Sequence, residues 1–214
     1  MSMNNLQLTK TPAGLVLTDR TLELRGDFTR LLPRLKQGVL QRELLVRAAK
    51  IKNAEHPIAL DATAGLGEDS LLLAAAGFQV VLFERDKTIA ALLADTIARA
   101  MDVPELQPAV SRMELRVEDS VNGMQNLDFR PDVVLLDPMF PEKRHNALTK
   151  KKLQLFQQLE SPCENETELL EAARATGAAK IVIKRPLKGP YLAGVKPSHS
   201  VCGKTVRYDC IVCS

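Results

Sequence analysis

An apolar stretch of the chain ends in side chains that could hold an aromatic amine. Residues 135–144 read LLDPMFPEKR, so an aspartate, two prolines and a phenylalanine come directly after the leucines. The Asp137 carboxylate and the Pro138 carbonyl, whose direction proline geometry restricts, could accept the two N–H groups of such an amine. The Phe140 ring could stack on the base that carries the amine. We therefore predict Asp137, Pro138 and Phe140 as catalytic residues.

This arrangement favours methylation of an exocyclic amine on a nucleobase. Such an amine is a poor nucleophile because its lone pair is delocalised into the ring, and two acceptors favour the tetrahedral nitrogen that attacks a methyl group in line. Catalysis would come from positioning and charge complementarity, without a cysteine nucleophile or a histidine base. The alternative is a turn that merely ends a strand. It would explain Asp137 and Pro138 but not Phe140 and Pro141.

A second candidate site is the loop DATAGLGEDS at residues 61–70. Its glycines, Gly65 and Gly67, would let the backbone turn tightly and approach a ligand. Ser70 stands where a pyrophosphate-binding loop has its third glycine, and the acidity of the loop disfavours a phosphate. A cationic, phosphate-free nucleoside fits better, so we predict S-adenosyl-L-methionine (SAM), with S-adenosyl-L-homocysteine as product. The cofactor residues expected in this loop are Asp61, Ala62, Gly65, Gly67, Glu68 and Asp69.

Two further acidic strand ends follow this loop in the chain. Glu84 comes nineteen residues after Gly65, where a carboxylate can bind both ribose hydroxyls of a nucleoside. Asp119 follows the next strand and could accept a hydrogen bond from the adenine amine. We add Glu84, Arg85, Asp119 and Ser120 to the predicted cofactor site, together with Asp137. The alternative for Glu84 alone is a solvated strand end.

Alternating strands and helices must position these residues. After a short β-meander over 6–25, the pattern predicts helices at 38–51, 68–77, 87–101, 146–159 and 166–177. It predicts strands at 58–62, 79–85, 113–119, 132–138 and 180–186, with a hairpin over 199–213. The fold class is therefore α/β, a Rossmann-like class I methyltransferase whose mostly parallel seven-stranded sheet ends in an antiparallel hairpin. We divide the chain into an N-terminal β/α extension, 1–52, and the methyltransferase domain, 53–214.

The charges are unevenly distributed along the chain. The formal net charge is only +3, but residues 25–52, 142–152 and 180–207 are basic, and the intervening region 55–141 is acidic. These basic segments could form one face that binds a polyanion such as RNA or DNA. Alternatively, they are solvated side chains on unrelated surfaces.

Composition narrows the remaining possibilities. No apolar run reaches the roughly 18–20 residues that a membrane span needs, and residues 1–10 lack the apolar core of a signal peptide. We therefore expect a cytoplasmic protein with no membrane partner. Cys210 and Cys213 form a C-x-x-C pair without a second pair at metal-ligand spacing, so we expect reduced thiols and no metal.

Several segments together resemble one family. DPMFP is similar to the D/N-P-P-F/Y/W motif of methyltransferases acting on amino groups of nucleic-acid bases, with Met139 in place of the second proline. DATAGLG, FERD, LLDPMFPEKR, ALTKKKLQLFQQL and VIKRP together resemble the RsmJ family of small-subunit rRNA guanine-N2 methyltransferases. The resemblance runs from about Leu15 to the C-terminus.

The resemblance implies a specific substrate, guanine 1516 of 16S rRNA, presented as free rRNA or in the 30S ribosomal subunit. It implies SAM contacts from the 61–69 loop, Glu84 and Asp119, and base contacts from residues 137–140. It also implies that Lys184 and Arg185 contact RNA phosphate. Two alternatives stay open: methylation of another nucleic-acid amine or a protein amide, and a catalytically silent RNA-binding factor in ribosome assembly.

Overall fold

The computed structural model describes residues 6–19, 21–138 and 165–213. Phe140 and the helix predicted over 146–159 lie outside these residues. The N-terminal part begins with an antiparallel meander of strands β1 (Gln7–Thr11), β2 (Gly14–Thr18) and β3 (Glu23–Leu24), which confirms the predicted meander. A 3₁₀ turn and three short helices follow: Phe28–Leu31, α1 (Leu32–Leu35), α2 (Gln37–Leu40) and α3 (Leu44–Ala49).

The main sheet runs through the rest of the described chain. Its strands are β4 (Ile58–Asp61), β5 (Gln79–Phe83), β6 (Met113–Arg116), β7 (Val133–Leu136), β8 (Lys180–Pro186), β9 (His199–Cys202) and β10 (Val206–Val212). In the described residues they form a seven-stranded sheet of order β6-β5-β4-β7-β8-β10-β9. Strands β4 to β8 are parallel, and β10 runs antiparallel to both β8 and β9. The predicted parallel sheet with a terminal antiparallel hairpin is therefore confirmed.

Helices connect the strands. They are α4 (Glu68–Ala75), α5 (Lys87–Met101), α6 (Gln107–Val110), α7 (Ser120–Gln125) and α8 (Glu166–Ala175). The bounds of α5 match the prediction because Asp86 caps its first turn, accepting hydrogen bonds from the amides of Thr88 and Ile89 at 2.8 and 2.9 Å. The short α6 and α7 were not predicted.

The helix predicted over 38–51 is wrong as a single element. It is divided into α2 and α3, and Glu43 between them has an extended backbone with ψ of 131°. The Glu43 carboxylate accepts two hydrogen bonds from the Arg34 guanidinium, both at 2.8 Å. The ion pair with Arg34 therefore lies at the break between the two helices.

The N-terminal part packs into the same hydrophobic core as one face of the main sheet. Phe28, Leu31, Leu40 and Leu45 are buried together with Leu71, Val80, Leu82, Val182 and Tyr208. The Lys180 ammonium donates to the carbonyls of Ala48 and Lys50, at 2.9 and 2.7 Å, and so covers the end of α3. The division between residues 52 and 53 stays a prediction.

The opposite face of the sheet packs against α7 and α8. Its buried members include Leu60, Phe83, Leu136, Leu170 and Ile183. Because both faces are covered, the parallel strands are nearly continuous in apolar residues, as the sequence suggested. None of the helices in the described ranges is long and apolar enough to cross a membrane.

Candidate functional site

The strand order reverses between β4 and β7, and this switch point brings two predicted sites together. In open α/β sheets, ligands bind in the crevice outside the carboxyl ends of the strands at this position. The Ala62 amide donates to the Leu135 carbonyl at 3.0 Å, and the Asp137 amide donates to the Thr63 hydroxyl at 2.7 Å. The predicted cofactor loop and the predicted catalytic aspartate are therefore directly connected.

The two loop glycines have the backbone conformation that the sequence predicted. Gly65 has a φ of 53° and Gly67 a φ of 75°, in the left-handed region that favours glycine. A Cβ on Gly67 would also lie 2.6 Å from Leu93 Cδ1. Gly67 thus allows the loop to turn tightly against α5 and to start α4.

Asp61 lies buried beneath this loop, with 2% of its surface exposed. Its carboxylate accepts hydrogen bonds from the Ser70 hydroxyl at 2.5 Å and from the Thr63 amide at 3.1 Å. Burial raises the pKa of Asp61 to about 7, and the two hydrogen bonds oppose this rise. Asp61 therefore fixes the shape of the loop from within.

Glu84 is buried at the end of β5 and also supports the loop. Its carboxylate accepts from the Gly65 amide at 3.1 Å and from the Asp86 amide at 2.8 Å. Burial raises the pKa of Glu84, and these hydrogen bonds act in the opposite direction. Each carboxylate oxygen can accept more than one hydrogen bond, so the group keeps capacity for a ligand hydroxyl. Arg85, the next residue, is exposed.

Asp119 and Ser120 lie after β6, where α7 begins. Asp119 Oδ1 accepts from the amides of Val121 and Asn122, at 3.0 and 3.2 Å, and therefore caps the helix. Both residues are partly exposed at the same edge of the sheet as Glu84. The carboxylate is thus held in a fixed position beside the predicted adenine end of the crevice.

A lysine on the neighbouring strand joins the two predicted sites. Lys184 Nζ lies 2.6 Å from Asp69 Oδ2 and 2.9 Å from Asp137 Oδ2. Although burial lowers the pKa of Lys184, the two carboxylates outweigh it and raise this pKa above its usual value. Burial raises the pKa of Asp137, and Lys184 counteracts this rise. The ammonium group therefore bridges the two carboxylates and favours the ionised form of Asp137.

A buried aromatic residue lies beside Lys184. Tyr208 is paired with Lys184 in the β8–β10 register and is only 5% exposed. Burial and the nearby Asp69 carboxylate raise the pKa of Tyr208. A low-dielectric surrounding strengthens the attraction between Lys184 and its two partners.

The structure corrects the RNA-phosphate assignment for Arg185. This residue is 1% exposed, and its guanidinium donates to the Glu166 carboxylate at 3.1 Å and to the Pro190 carbonyl at 3.1 Å. A buried guanidinium cannot reach a phosphate on the surface, so this prediction is wrong. Lys184 is turned toward Asp137 and Asp69. Strand alternation could have shown that Lys184 and Arg185 face opposite sides of the sheet.

Most of the basic side chains in the segment 180–207 therefore contact other groups of the protein. Lys180, Lys184, Arg185 and Arg207 all contact protein groups, the last through the Asp209 carboxylate at 2.9 Å. The lysines of this segment that are exposed are Lys188, Lys196 and Lys204. In this segment, only these three loop lysines remain as candidates for the predicted polyanion-binding face.

The remaining predicted residues are placed as follows. Ala62 and Pro138 are buried, Glu68 is exposed at the start of α4, and Phe140 lies outside the described residues. Cys210 is buried, and burial raises the pKa of its thiol to about 11. Within residues 6–19, 21–138 and 165–213, no group of three or more His, Cys, Asp or Glu side chains is arranged to hold a metal ion.

The acceptors at this edge fit SAM. Carboxylates stand at the carboxyl ends of β4, β5 and β6, and the turn between β4 and α4 offers backbone groups free of a Cβ. Lys184 is engaged by two carboxylates, so the described crevice presents acceptors for hydroxyl and amino groups. A ligand with a cationic sulfonium and an uncharged ribose matches such a surface better than a pyrophosphate does.

Comparisons with known proteins agree with this geometry. The family model described as "Putative SAM-dependent methyltransferase" matches residues 3–213. A ribosomal RNA small subunit methyltransferase J from Thioalkalivibrio sulfidiphilus is 43% identical over 175 residues, covering 81% of this chain and 69% of the relative. The protein of the same name from Nitrosococcus oceani is 40% identical over 217 residues, covering 95% of this chain and 85% of the relative.

Solved structures show the same fold. The crystal structure of a SAM-dependent methyltransferase from Neisseria gonorrhoeae superposes with a TM-score of 0.79 at 31% identity, covering 99% of this chain and 84% of the other. The rRNA methyltransferase AviRa from Streptomyces viridochromogenes, at 18% identity and a TM-score of 0.54, shares the fold alone. The predicted class I methyltransferase fold is confirmed.

Proposed function

Since this chain belongs to the ribosomal RNA small subunit methyltransferase J family, we propose that its SAM-dependent methyl transfer is directed at the N2 amine of a guanine in 16S rRNA. The site is guanine 1516, as the resemblance to the RsmJ family implies. The observation that carries this proposal is the position of Asp137. It ends β7 at the switch point, bonded through its amide to Thr63 of the cofactor loop.

Asp137 and Pro138 hold the target amine in this proposal. The Asp137 carboxylate and the Pro138 carbonyl accept the two N–H groups, and Phe140 stacks on the guanine ring. Because the base is paired or stacked in folded rRNA, it must turn out of its neighbours to reach Asp137. The gain in rate comes from holding the nitrogen in line with the methyl group.

Bound SAM supplies an electrophilic methyl group on its sulfonium and leaves as S-adenosyl-L-homocysteine. The loop Asp61–Asp69 positions its methionine part, with Ala62, Gly65, Gly67 and Glu68 lining the turn. Glu84 binds the ribose hydroxyls, and Asp119 accepts from the adenine amine. Arg85 and Ser120 complete these two strand ends. Each assignment agrees with a position at the carboxyl edge of the sheet.

Lys184 keeps Asp137 ready for this role. The methylated amine must release one proton, and an ionised Asp137 is the acceptor nearest to the nitrogen in this arrangement. Burial alone would favour the protonated carboxyl, which cannot accept that proton. The Lys184 ammonium at 2.9 Å favours the ionised form.

Labelling with radioactive SAM tests the proposal. The purified protein is incubated with 16S rRNA and, separately, with 30S subunits, both from cells that lack the modification. We expect N2-methylguanosine at one position, mapped by nuclease digestion. Label in another base or in a ribosomal protein would overturn the guanine-N2 assignment and leave the methyltransferase activity standing.

A thermal melt with SAM tests whether the protein is instead catalytically silent. A ligand that binds only the native state raises the Tm, by an amount that grows with its concentration over Kd. We expect SAM to raise the Tm of this protein. An unchanged Tm at millimolar SAM, together with the absence of label, would favour a silent RNA-binding factor.

A further inference from the structure

A pocket of about 280 Å³ lies between the loop after β8 and the hairpin of β9 and β10. Its wall includes Lys188, Tyr191, Cys202 and Arg207. Strand β8 ends at Pro186, paired with Val206 at the start of β10, so these loops emerge from the carboxyl edge of the sheet. The predicted function leaves this pocket unassigned.

Arg207 forms the floor of the pocket. It is 7% exposed, and its guanidinium donates to the carbonyls of Pro186 at 2.9 Å and Leu187 at 2.8 Å. The Asp209 carboxylate accepts from Arg207 Nε at 2.9 Å. One buried guanidinium thereby holds the loop after β8 against β10, so the shape of the pocket is built into the fold.

The same guanidinium supports an exposed aromatic ring. Arg207 Cζ lies 5.1 Å from the centre of the Tyr191 ring, within the range of a cation–π interaction. Tyr191 is 41% exposed, whereas Tyr208, which is in the core, is 5% exposed. One face of the Tyr191 ring is thus fixed from below while the ring remains accessible to a ligand.

One exposed lysine lines the pocket, and a second lies in an adjoining turn. Lys188 lines the pocket itself. Lys204 lies in the turn between β9 and β10, which is joined to the loop after β8 where the Leu187 amide donates to the Thr205 carbonyl at 2.9 Å. Both lysines are exposed. Between residues 180 and 207 the sequence contains no acidic residue, so no carboxylate of this segment opposes them.

We propose that this pocket is a subsite for a nucleotide of the RNA strand that flanks the target base. A base stacks on Tyr191, and Lys188 and Lys204 neutralise the adjoining phosphates. The proposal rests on the RNA substrate of the proposed function and adds the residues that grip it. The strand with Arg207 lies two strand spacings from β7, roughly 10 Å. Arg207 is paired with Arg185 and so lies on the face of the sheet opposite Lys184, and an RNA strand that crosses the carboxyl edge can enter the pocket while the target base is at Asp137.

Substitutions of Tyr191 test the stacking contact. We expect Tyr191→Ala to weaken binding of a 16S rRNA transcript about 10-fold and to raise its KM similarly, because one base–aromatic stack has this value. Tyr191→Phe keeps the ring and should bind as the wild type does. The KM for SAM and the Tm shift caused by SAM should be unchanged in both variants. Equal RNA affinity in Tyr191→Ala and Tyr191→Phe would overturn the subsite.

A single tryptophan gives a second measurement that does not depend on turnover. The chain contains no tryptophan, so Tyr191→Trp introduces one fluorophore at the proposed stacking position. Adding the transcript should quench its emission. The matched control is Val212→Trp, which is exposed at the other end of β10 and should not be quenched. Equal responses of the two variants would overturn the proposal.

These experiments also separate the subsite from the proposed function. Transcript binding is measured directly, so a missing methylguanosine product would contradict the proposed function without affecting the comparison of Tyr191 variants. Lys188→Ala tests the proposed electrostatic contact with phosphate. We expect it to weaken transcript binding and to lower the slope of log affinity against log salt by about one, and an unchanged slope would remove Lys188 from the site.

Discussion

The two halves of the sheet's carboxyl edge hold their carboxylates in different ways. On the side of β4 to β6, Asp61, Glu84 and Asp119 all accept hydrogen bonds from backbone amides. On the side of β7 and β8, Asp137 is held by the Lys184 ammonium, which also contacts Asp69 of the cofactor loop. The first half is fixed by the backbone, and the second by charge.

This difference separates two kinds of task. A cofactor of constant shape can be bound by a rigid loop, because its hydroxyl and amino groups always need the same acceptors. The proposed acceptor site must instead hold an ionised carboxylate while a proton is released. An ion pair suits that task because a neighbouring cation favours the ionised form of the carboxylate. Variants in the cofactor half should therefore affect SAM binding, and variants in the other half should affect turnover.

The largest effect is expected for Asp137→Ala. We expect kcat to fall by about 10²–10³-fold, which is typical when one preorganised acceptor or donor at the reacting group is removed. The KM for SAM and the Tm shift caused by SAM should remain near those of the wild type. Radiolabel transfer to 16S rRNA measures the first quantity and a thermal melt measures the second.

Asp137→Asn is the matched control for this change. The amide keeps one acceptor oxygen but has no negative charge, so its activity should lie between the wild type and Asp137→Ala. Wild-type turnover by Asp137→Ala would contradict the catalytic assignment and end the proposed division of labour between the two halves.

In the cofactor half, Glu84→Gln should weaken SAM binding. One carboxylate oxygen is replaced by an NH₂ group that cannot accept a hydrogen bond from the Gly65 or Asp86 amide. We expect the KM for SAM to rise about 10- to 100-fold, since hydrogen bonds to charged groups contribute roughly 1.5–3 kcal/mol. The KM for RNA should change little.

The control for Glu84→Gln is Glu105→Gln, which removes the same charge from an exposed position before α6. Its KM for SAM should equal that of the wild type. If both variants bind SAM equally well, Glu84 supports the loop without contributing to cofactor binding.

The cofactor half was also the more predictable from sequence. Asp61 and Glu84 follow apolar runs, and in a parallel sheet the carboxyl ends of such strands share one edge. The position of each carboxylate therefore depends on a local pattern. The turn predicted at Gly65 and Gly67 likewise depends on a local sequence pattern, and both glycines have a positive φ in the structure.

The charged contacts of the other half were not predictable in this way. Lys184 and Asp69 are 115 residues apart, and Arg207 contacts the carbonyl of Pro186 on the neighbouring strand, 21 residues earlier in the chain. A basic residue at a strand end looks the same in sequence whether it faces solvent or a buried carboxylate. Lys184 and Arg185 were consequently assigned to RNA, although only strand register and face could decide their partners.

The free energy of unfolding should distinguish a glycine of the cofactor loop from a glycine elsewhere in the chain. Gly67→Ala puts a Cβ at a φ of 75°, 2.6 Å from Leu93 Cδ1. We expect it to lower the free energy of unfolding by about 1–3 kcal/mol and to weaken SAM binding as well. Chemical denaturation at equilibrium measures the first effect.

Gly38→Ala is the matched substitution. Gly38 lies in α2, and a Cβ there would have no atom within 4 Å. It should be neutral or stabilise the protein by up to about 1 kcal/mol. An equal loss of stability in both variants would show that the cofactor loop has no special backbone requirement.

The smallest expected effect, and the most specific one, concerns Lys184. Lys184→Met keeps the length of the side chain and removes the cation that lowers the pKa of Asp137, while burial and Asp69 continue to raise it. Asp137 should then stay protonated to a higher pH, so the acidic limb of the kcat profile should move upward. At pH values within the shifted limb we expect kcat to be lower than that of the wild type, and the loss should be recovered as the pH is raised. Lys184→Arg keeps the positive charge, so the acidic limb of its kcat profile should lie at the same pH as that of the wild type. A purely structural lysine would lower activity equally at every pH, and the Lys184→Met profile would then be reduced in height without being shifted along the pH axis.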